Sequence, residues 1–187
     1  MKIINLVLNN FTNDSRVLKT SNSLQTLGHN VTVVAIHKNG LAVREDLPNE
    51  VRVHRIPLLT RRWSKNRLVQ VIKLIEFIVK FIFTYRKSDI LHCNDLSGLF
   101  VGVICKLTNP GMPIIYDSHE FAINDVPNQS RWSIKLKFVL EWFLIKFAKQ
   151  VICVGDSVFL GGVPLVAIAL VSEGRKGGLP VVCIECR

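Results

Sequence analysis

The sequence predicts an α/β fold in which a parallel sheet is covered by helices. Three observations carry that prediction. Short apolar runs alternate with longer helical patterns along most of the chain, which is the mark of repeated β-α-β units. A helical pattern beginning at Ser15 follows the capping pair Asn13-Asp14 and stops at Gly28 before the next apolar run, so one β-α-β unit is visible with both helix ends signalled. The chain has 187 residues, enough to bury a core without a metal or disulfide staple.

In chain order, strands are expected at Ile3–Leu8, Val31–Ile36, Val51–Ile56, Ile90–Cys93, Pro113–Tyr116 and Val151–Val154. Each is a short run rich in β-branched or aromatic residues with a polar or glycine boundary. Helices are expected at Ser15–Leu27, Leu68–Tyr85, Leu96–Leu107 and Ser133–Lys149. Cys93, Cys105 and Cys153 fall inside apolar runs, where a reduced thiol acts as a small hydrophobe, and the five cysteines are odd in number; a reducing, cytosolic setting follows. The N-terminal apolar stretch is too short for a secretory signal and reads as the first strand.

Ligands of open α/β sheets bind beyond the carboxyl ends of the strands, so the residues after each strand are the candidates for chemistry. Three such segments are polar: "NNFTNDSR" after the first strand, "HCND" after the fourth and "DSHE" after the fifth. If these strands are neighbours, about 4.8 Å apart, the segments converge. No glycine lies between Met1 and Leu27, so the first turn lacks the G-x-G-x-x-G pattern of a dinucleotide site. Asn10, Asn13, Asp14 and Arg16 offer hydrogen bonds to a polyhydroxylated ligand, with the helix N-terminus open to a phosphate; Asn13 or Asp14 acting only as a helix cap is the competing reading. His92, Asp95, Asp117, His119 and Glu120 are metal-ligand types, but no H-E-x-x-H or paired C-x-x-C accompanies them. No metal and no cofactor are expected.

Charge is concentrated. Arg61 to Lys87 holds eight basic residues and one acid, net +7, and Arg131 to Gln150 holds five and one, net +4, against +10 for the whole chain. Both segments are rich in large apolar residues, so an anionic membrane surface is an expected partner. Lysines and glutamates interrupt both at helical spacing, which excludes a membrane span of about 18 uncharged residues. The alternative is two helices packed on the sheet with a thin lysine stripe in solvent, their apolar faces turned to the core. Basic residues are interleaved with aliphatic rather than aromatic ones, and nucleic acid is not an expected partner.

The segments "DSRVLKTSNSLQTLGHNVTVVA", "DILHCNDLSGLFVGVICK", "PIIYDSHEF" and "FAKQVICVGDSV", in that order, resemble the N-terminal half of a GT-B fold, family 4-type glycosyltransferase, from Met1 to about Val158. The resemblance implies a Rossmann-like domain at residues 1–157 that holds a sugar or lipid-linked acceptor, with the nucleotide-sugar donor bound by a C-terminal domain. It implies that His119 lies against the transferred sugar and stabilises the charge developing at its reacting carbon. Asp117 and Glu120 would hold the loop or bind acceptor hydroxyls. His92, Asn94 and Asp95 would border the same cleft, which Asn10 to Arg16 would close. The cytoplasmic face of a membrane is the implied location.

Residues 158–187 break the pattern, with five of the eleven glycines and two of the seven prolines and no clean strand or helix period. They do not resemble the start of a donor domain. A truncated or frame-shifted product is the expected account, and a catalytically inactive module that binds a membrane or a partner chain is the competing functional reading.

Overall fold

The computed structural model describes residues 1–12, 14–47, 50–64, 66–118, 131–154, 159–160, 163–164 and 181–184. Its main sheet contains β1 (Lys2–Leu6), β2 (Asn30–Ile36), β3 (Arg44–Asp46), β4 (Arg52–Ile56), β5 (Ile90–Cys93), β6 (Ile114–Ser118), β7 (Gln150–Val154) and β10 (Val181–Ile184). The helices are α1 (Ser15–Thr26), α2 (Arg67–Tyr85), α3 (Leu96–Thr108) and α4 (Arg131–Ile145). A two-stranded ribbon, β8 (Phe159–Leu160) with β9 (Val163–Pro164), stands apart from the main sheet.

The sheet order is β10-β7-β6-β5-β1-β2-β4-β3. Every adjacent pair is parallel except β3 with β4. The order runs outward from β1 through β2 to β4, then resumes on the other side of β1 with β5, β6 and β7. That reversal between β1 and β5 is the switch point of a doubly wound, Rossmann-like sheet. The expected fold class is the observed one.

Two apolar clusters hold the layers together. On one side, Ile4, Leu6, Leu91 and Ile114 meet Phe77 and Phe81 of α2 and Leu99 of α3. On the other, Val17 of α1 meets Val33, Val53 and Phe11. Gly102 lets α3 approach β5 closely, because a Cβ there would come within 2.6 Å of the Cys93 sulfur. Cys93 and Cys105 are buried free thiols, and burial pushes the Cys105 thiol up to about 11.

Helix α1 ends as expected. Gly28, at φ 82°, follows the last helical turn, and its N–H donates to Gln25 O at 2.9 Å while His29 N–H donates to Leu24 O at 3.2 Å, a paired closure that needs a left-handed residue.

Three expectations are corrected. Strand β6 runs on to Ser118, so Asp117 and Ser118 are strand residues, because Ser118 stays buried on the side that faces α4. The segment Val181–Ile184 is a strand paired with β7, although its surroundings lack a clean period. Finally, the apolar residues of α2 and α4 are not all turned to the core. Leu68 and Phe83 are each 79% exposed and Trp132 is 82% exposed, since each helix has apolar residues on both of its long sides. Among the described residues no helix is long and apolar enough to cross a membrane.

Candidate functional site

The carboxyl ends of β6, β5 and β1 lie side by side in the sheet, so the described residues of the three polar segments sit at one edge, on both sides of the switch point. The β1–α1 loop is rigidly specified. Asn9 Oδ1 accepts from Phe11 N–H at 2.8 Å, and Phe11 adopts φ 48°, a conformation that costs a non-glycine residue roughly 1 kcal/mol or more. Two features hold Phe11 there. Its ring is buried with Val7, Val17 and Val33. The buried Arg55 guanidinium donates to Asn10 O and to Phe11 O, both at 3.1 Å, and to Ala42 O at 3.1 Å. The Glu45 carboxylate accepts from Arg55 at 2.7 Å, which balances the buried charge. The turn that a glycine makes in dinucleotide sites is made here by an aromatic residue under an arginine clamp.

Asp14 is the N-cap of α1, and its carboxylate accepts from Val17 N–H at 3.3 Å and from Asn9 Nδ2 at 3.4 Å. The expectation of a helix start open to phosphate is therefore corrected, because a carboxylate already stands there. Asn10 donates from its side chain to Thr12 Oγ1 at 3.3 Å. Arg16 is exposed on the first turn of α1. Asn13 lies outside the described residues. A cleft of about 450 Å³ opens beside this loop, bordered by Asp14, Ser15, Leu41, Glu45 and Arg55. Sequence reasoning does not find Arg55 or Glu45, because a strand arginine shows no visible connection to a loop 45 residues earlier.

At the end of β5, Asn94 and Asp95 have structural duties. His92 is buried in the strand, 3% exposed, in register with Asn5 and Ile115. Asn94 is also 3% exposed; its amide donates to Asn5 Oδ1 at 3.1 Å and to Leu6 O at 3.2 Å. Asn5 in turn donates to Ser21 Oγ at 2.7 Å. A buried polar chain thus ties α1, β1 and β5 together directly below the switch point. Asp95 caps α3, accepting from Gly98 N–H.

At the end of β6, Tyr116 and Ser118 face α4. The Tyr116 hydroxyl donates to Glu141 Oε1 at 2.6 Å, and Ser118 Oγ donates to the same oxygen at 3.3 Å. Burial raises the Glu141 carboxyl above its ordinary range even though both hydroxyl donors favour its ionised form. Burial, followed by the neighbouring Glu141 charge, raises the Tyr116 phenol well above its ordinary value. Strand alternation puts Asp117 on the opposite face, shared with His92. His119 and Glu120 lie outside the described residues. Among the described residues no group of three His, Cys, Asp or Glu side chains is placed to hold a metal ion.

The structure thus brings Asn10, Asp14, Asn94, Asp95 and Asp117 to one edge of the sheet, with Asn94 and Asp95 committed to holding the edge together. Solved structures share the fold that carries this edge. Sucrose-phosphate synthase from Thermosynechococcus elongatus superimposes with a TM-score of 0.69 at 13% identity, over 100% of this chain and 48% of that one. HepE of Anabaena, solved in complex with UDP-glucose, gives 0.58 at 16% identity over 99% of this chain and 43% of that one. UGT2 of Phytolacca americana, complexed with UDP-2-fluoro-glucose and pterostilbene, gives 0.56 at 10% identity over 99% and 54%. The chain therefore spans about half the length of these structures, and the fold it shares with them is the N-terminal-type half of a GT-B architecture. No curated protein matches it in sequence. The model of Glycosyltransferase Family 4 matches residues 15–158, a span that contains all four helices and the segments after β5 and β6, and the chain belongs to that family.

Proposed function

We propose that this chain is the acceptor-side half of a glycosyltransferase that moves a hexosyl group from a nucleotide-sugar to a lipid-linked or polysaccharide acceptor. The observation that carries this reading is the adjacency of β6, β5 and β1 at the switch point, which gathers the polar strand-end segments where an open α/β sheet binds its ligand. HepE and UGT2 of the same fold were solved with UDP-sugars, which supports a nucleotide-sugar as the donor, held by a second domain across the edge.

In this reading Asn10, Asn13, Asp14, Arg16 and Asp117 receive acceptor hydroxyls. His119 stabilises charge at the reacting carbon of the transferred sugar, and Glu120 orients the loop that carries it. His92, Asn94 and Asp95 support the edge from below. The enzyme works at the cytoplasmic side of a membrane, bound peripherally. No cofactor is required, since transfer between two bound sugars needs positioning and electrostatic stabilisation.

A second reading has one observation in its favour. The exposed apolar side chains of α2 and α4 would suit a catalytically inactive module that binds a membrane or a partner chain. The two readings separate in one assay. Radiolabelled transfer from a panel of nucleotide-sugars is measured for the chain alone and with a family 4 donor domain supplied in trans. Turnover only with the donor domain, abolished by His119→Ala, supports the first reading. No turnover with any donor domain sustains the second.

A further inference from the structure

We propose that the outer surface of the helix layer is a docking face for an anionic lipid bilayer, held by inserted apolar side chains as well as by charge. The inference deepens the peripheral membrane location proposed above, and it is independent of which sugar is moved.

The geometry begins with α2. One side of this helix is core, with Phe77, Ile78, Phe81 and Tyr85 buried. The opposite side carries Leu68, Val71, Ile75, Val79 and Phe83, all exposed, at steps of three and four residues that form one continuous stripe. Helix α4 repeats the design. Leu144 and Ile145 are buried, while Trp132, Leu136, Val139 and Phe143 are exposed at similar steps, with the exposed Trp142 on the flank of that stripe. Helix α3 packs between the two, so the stripes lie on one layer.

The tryptophans are a second, independent observation. The chain has three. All of them, Trp63 just before α2 and Trp132 and Trp142 on α4, sit on this layer, and each is more than half exposed. Indole is the side chain best suited to the boundary between headgroups and acyl chains, apolar in body with one N–H donor.

Charge selects the occupant. Helices α2 and α4 contain one acid each, Glu76 and Glu141, and α3 contains none. Both acids are already engaged by neighbouring donors. Glu76 accepts from Leu59 N–H at 2.6 Å, from Thr60 N–H at 3.0 Å, from Thr60 Oγ1 at 2.6 Å and from Lys80 at 2.7 Å. Glu141 accepts from Tyr116 and Ser118. What else is exposed on the three helices is apolar, cationic or neutral, the last including Gln70, Thr84 and Thr108. Arg61, Arg62 and Arg67 stand at one end of α2, and Lys146 lies 3.4 Å over the Trp142 ring on α4. Apolar stripes flanked by cations, with both helix carboxylates held by hydrogen bonds from within the chain, match an anionic bilayer surface.

The test uses the whole chain and vesicles that contain neither acceptor nor nucleotide-sugar, so a failure here leaves the sugar-transfer reading standing and a failure of transfer leaves this one standing. Flotation and intrinsic tryptophan emission are followed with phosphatidylcholine vesicles and with vesicles carrying a phosphatidylglycerol fraction, at about 0.1 and about 1 M salt, where the screening length falls from roughly 10 to roughly 3 Å. Expected are binding to anionic vesicles, a blue shift, quenching by brominated acyl chains, and a residue of binding that survives high salt. A Leu68→Ser, Phe83→Ser, Leu136→Ser variant, checked for folding by circular dichroism, should bind at least tenfold more weakly at high salt. An Arg61→Gln, Arg62→Gln, Arg67→Gln variant should lose binding chiefly at low salt. Absence of bromolipid quenching in the wild type overturns the proposal without recourse to any variant. So does a blue-shifted emission that appears on self-association without lipid, which would assign the face to a second copy of the chain.

Discussion

Asn94 Nδ2 donates to Asn5 Oδ1 at 3.1 Å across 89 residues of sequence, joining the ends of the two strands between which the sheet order reverses. The same amide donates to Leu6 O, so both of its hydrogens are used inside the sheet. Asn94→Asp would set a carboxylate against two acceptors in a buried site. We expect it to lower stability by about 2 kcal/mol or more, while Asn94→Ala costs about 1–3 kcal/mol, both read by denaturant unfolding. Equal stability of all three proteins would show that the switch point is held by other contacts.

Arg55 offers a sharper perturbation of the same edge. Three backbone carbonyls and Glu45 depend on its guanidinium, and a lysine cannot reproduce that fork. Arg55→Lys should destabilise the chain by about 2 kcal/mol and Arg55→Met by about 3 kcal/mol or more, since the latter strands Glu45 as well. Hydrogen exchange at the amides of Asn10 to Thr12 should quicken in both, reporting release of Phe11 from its left-handed conformation.

Glu76 gives the acid limb of stability. Burial opposes its ionisation, but hydrogen bonds from Lys80, Thr60 and Leu59 outweigh that and hold its carboxyl down to about 2, against an ordinary 4.5. A carboxyl depressed in the fold contributes stability above its unfolded pKa and loses it as pH falls through the folded one. Glu76→Gln should therefore cost about 1–3 kcal/mol at neutral pH, with the difference from wild type closing between about pH 4.5 and pH 2. A difference independent of pH would mean that the ionised form is not what holds Leu59 and Thr60.

Glu141 has the opposite sign. Its carboxyl is raised by burial, so it favours the fold when protonated, and that contribution is lost as pH rises through the raised value. Glutamine keeps an oxygen to accept from Tyr116. Glu141→Gln should match wild type in acid and equal or exceed it in thermal stability near neutrality. A loss of stability at neutral pH that vanishes in acid would contradict the assignment.

Much of the sheet was legible because period and punctuation agreed. Asn13-Asp14 before an amphipathic run and Gly28 after it specify a capped helix locally, and α1 formed as read. Strand β3 was not legible: Arg44-Glu45-Asp46 has no apolar alternation, and it is a strand because it pairs with β4 and places Glu45 on Arg55, a contact between segments. The end of β6 is not legible from polarity, because Ser118 is buried against Glu141, a partner 23 residues on. Val181–Ile184 is an apolar run of strand length, but it was read with its glycine-rich surroundings. For α2 and α4, composition showed apolar and basic residues together. It could not show that the core takes only one stripe of each, which depends on what packs there. Asn94 and Asp95 were identified as belonging to the edge, and their hydrogen bonds place them in its framework.

The central claim is that the edge formed by β1, β5 and β6 receives the acceptor, while the donor's nucleotide is gripped by a second domain. The most direct measurement is amide chemical-shift mapping of the isotope-labelled chain, titrated in parallel with short oligosaccharide or lipid-linked sugar analogues and with nucleotide-sugars. The account predicts saturable shifts from acceptor analogues at Asn9 to Ser15, Asn94 to Leu96 and Asp117 to Ser118, with nucleotide-sugars leaving those amides unmoved. Saturable nucleotide-sugar shifts at that edge, or acceptor shifts confined to the opposite edge around Lys2, Asn30 and Arg52, would contradict it.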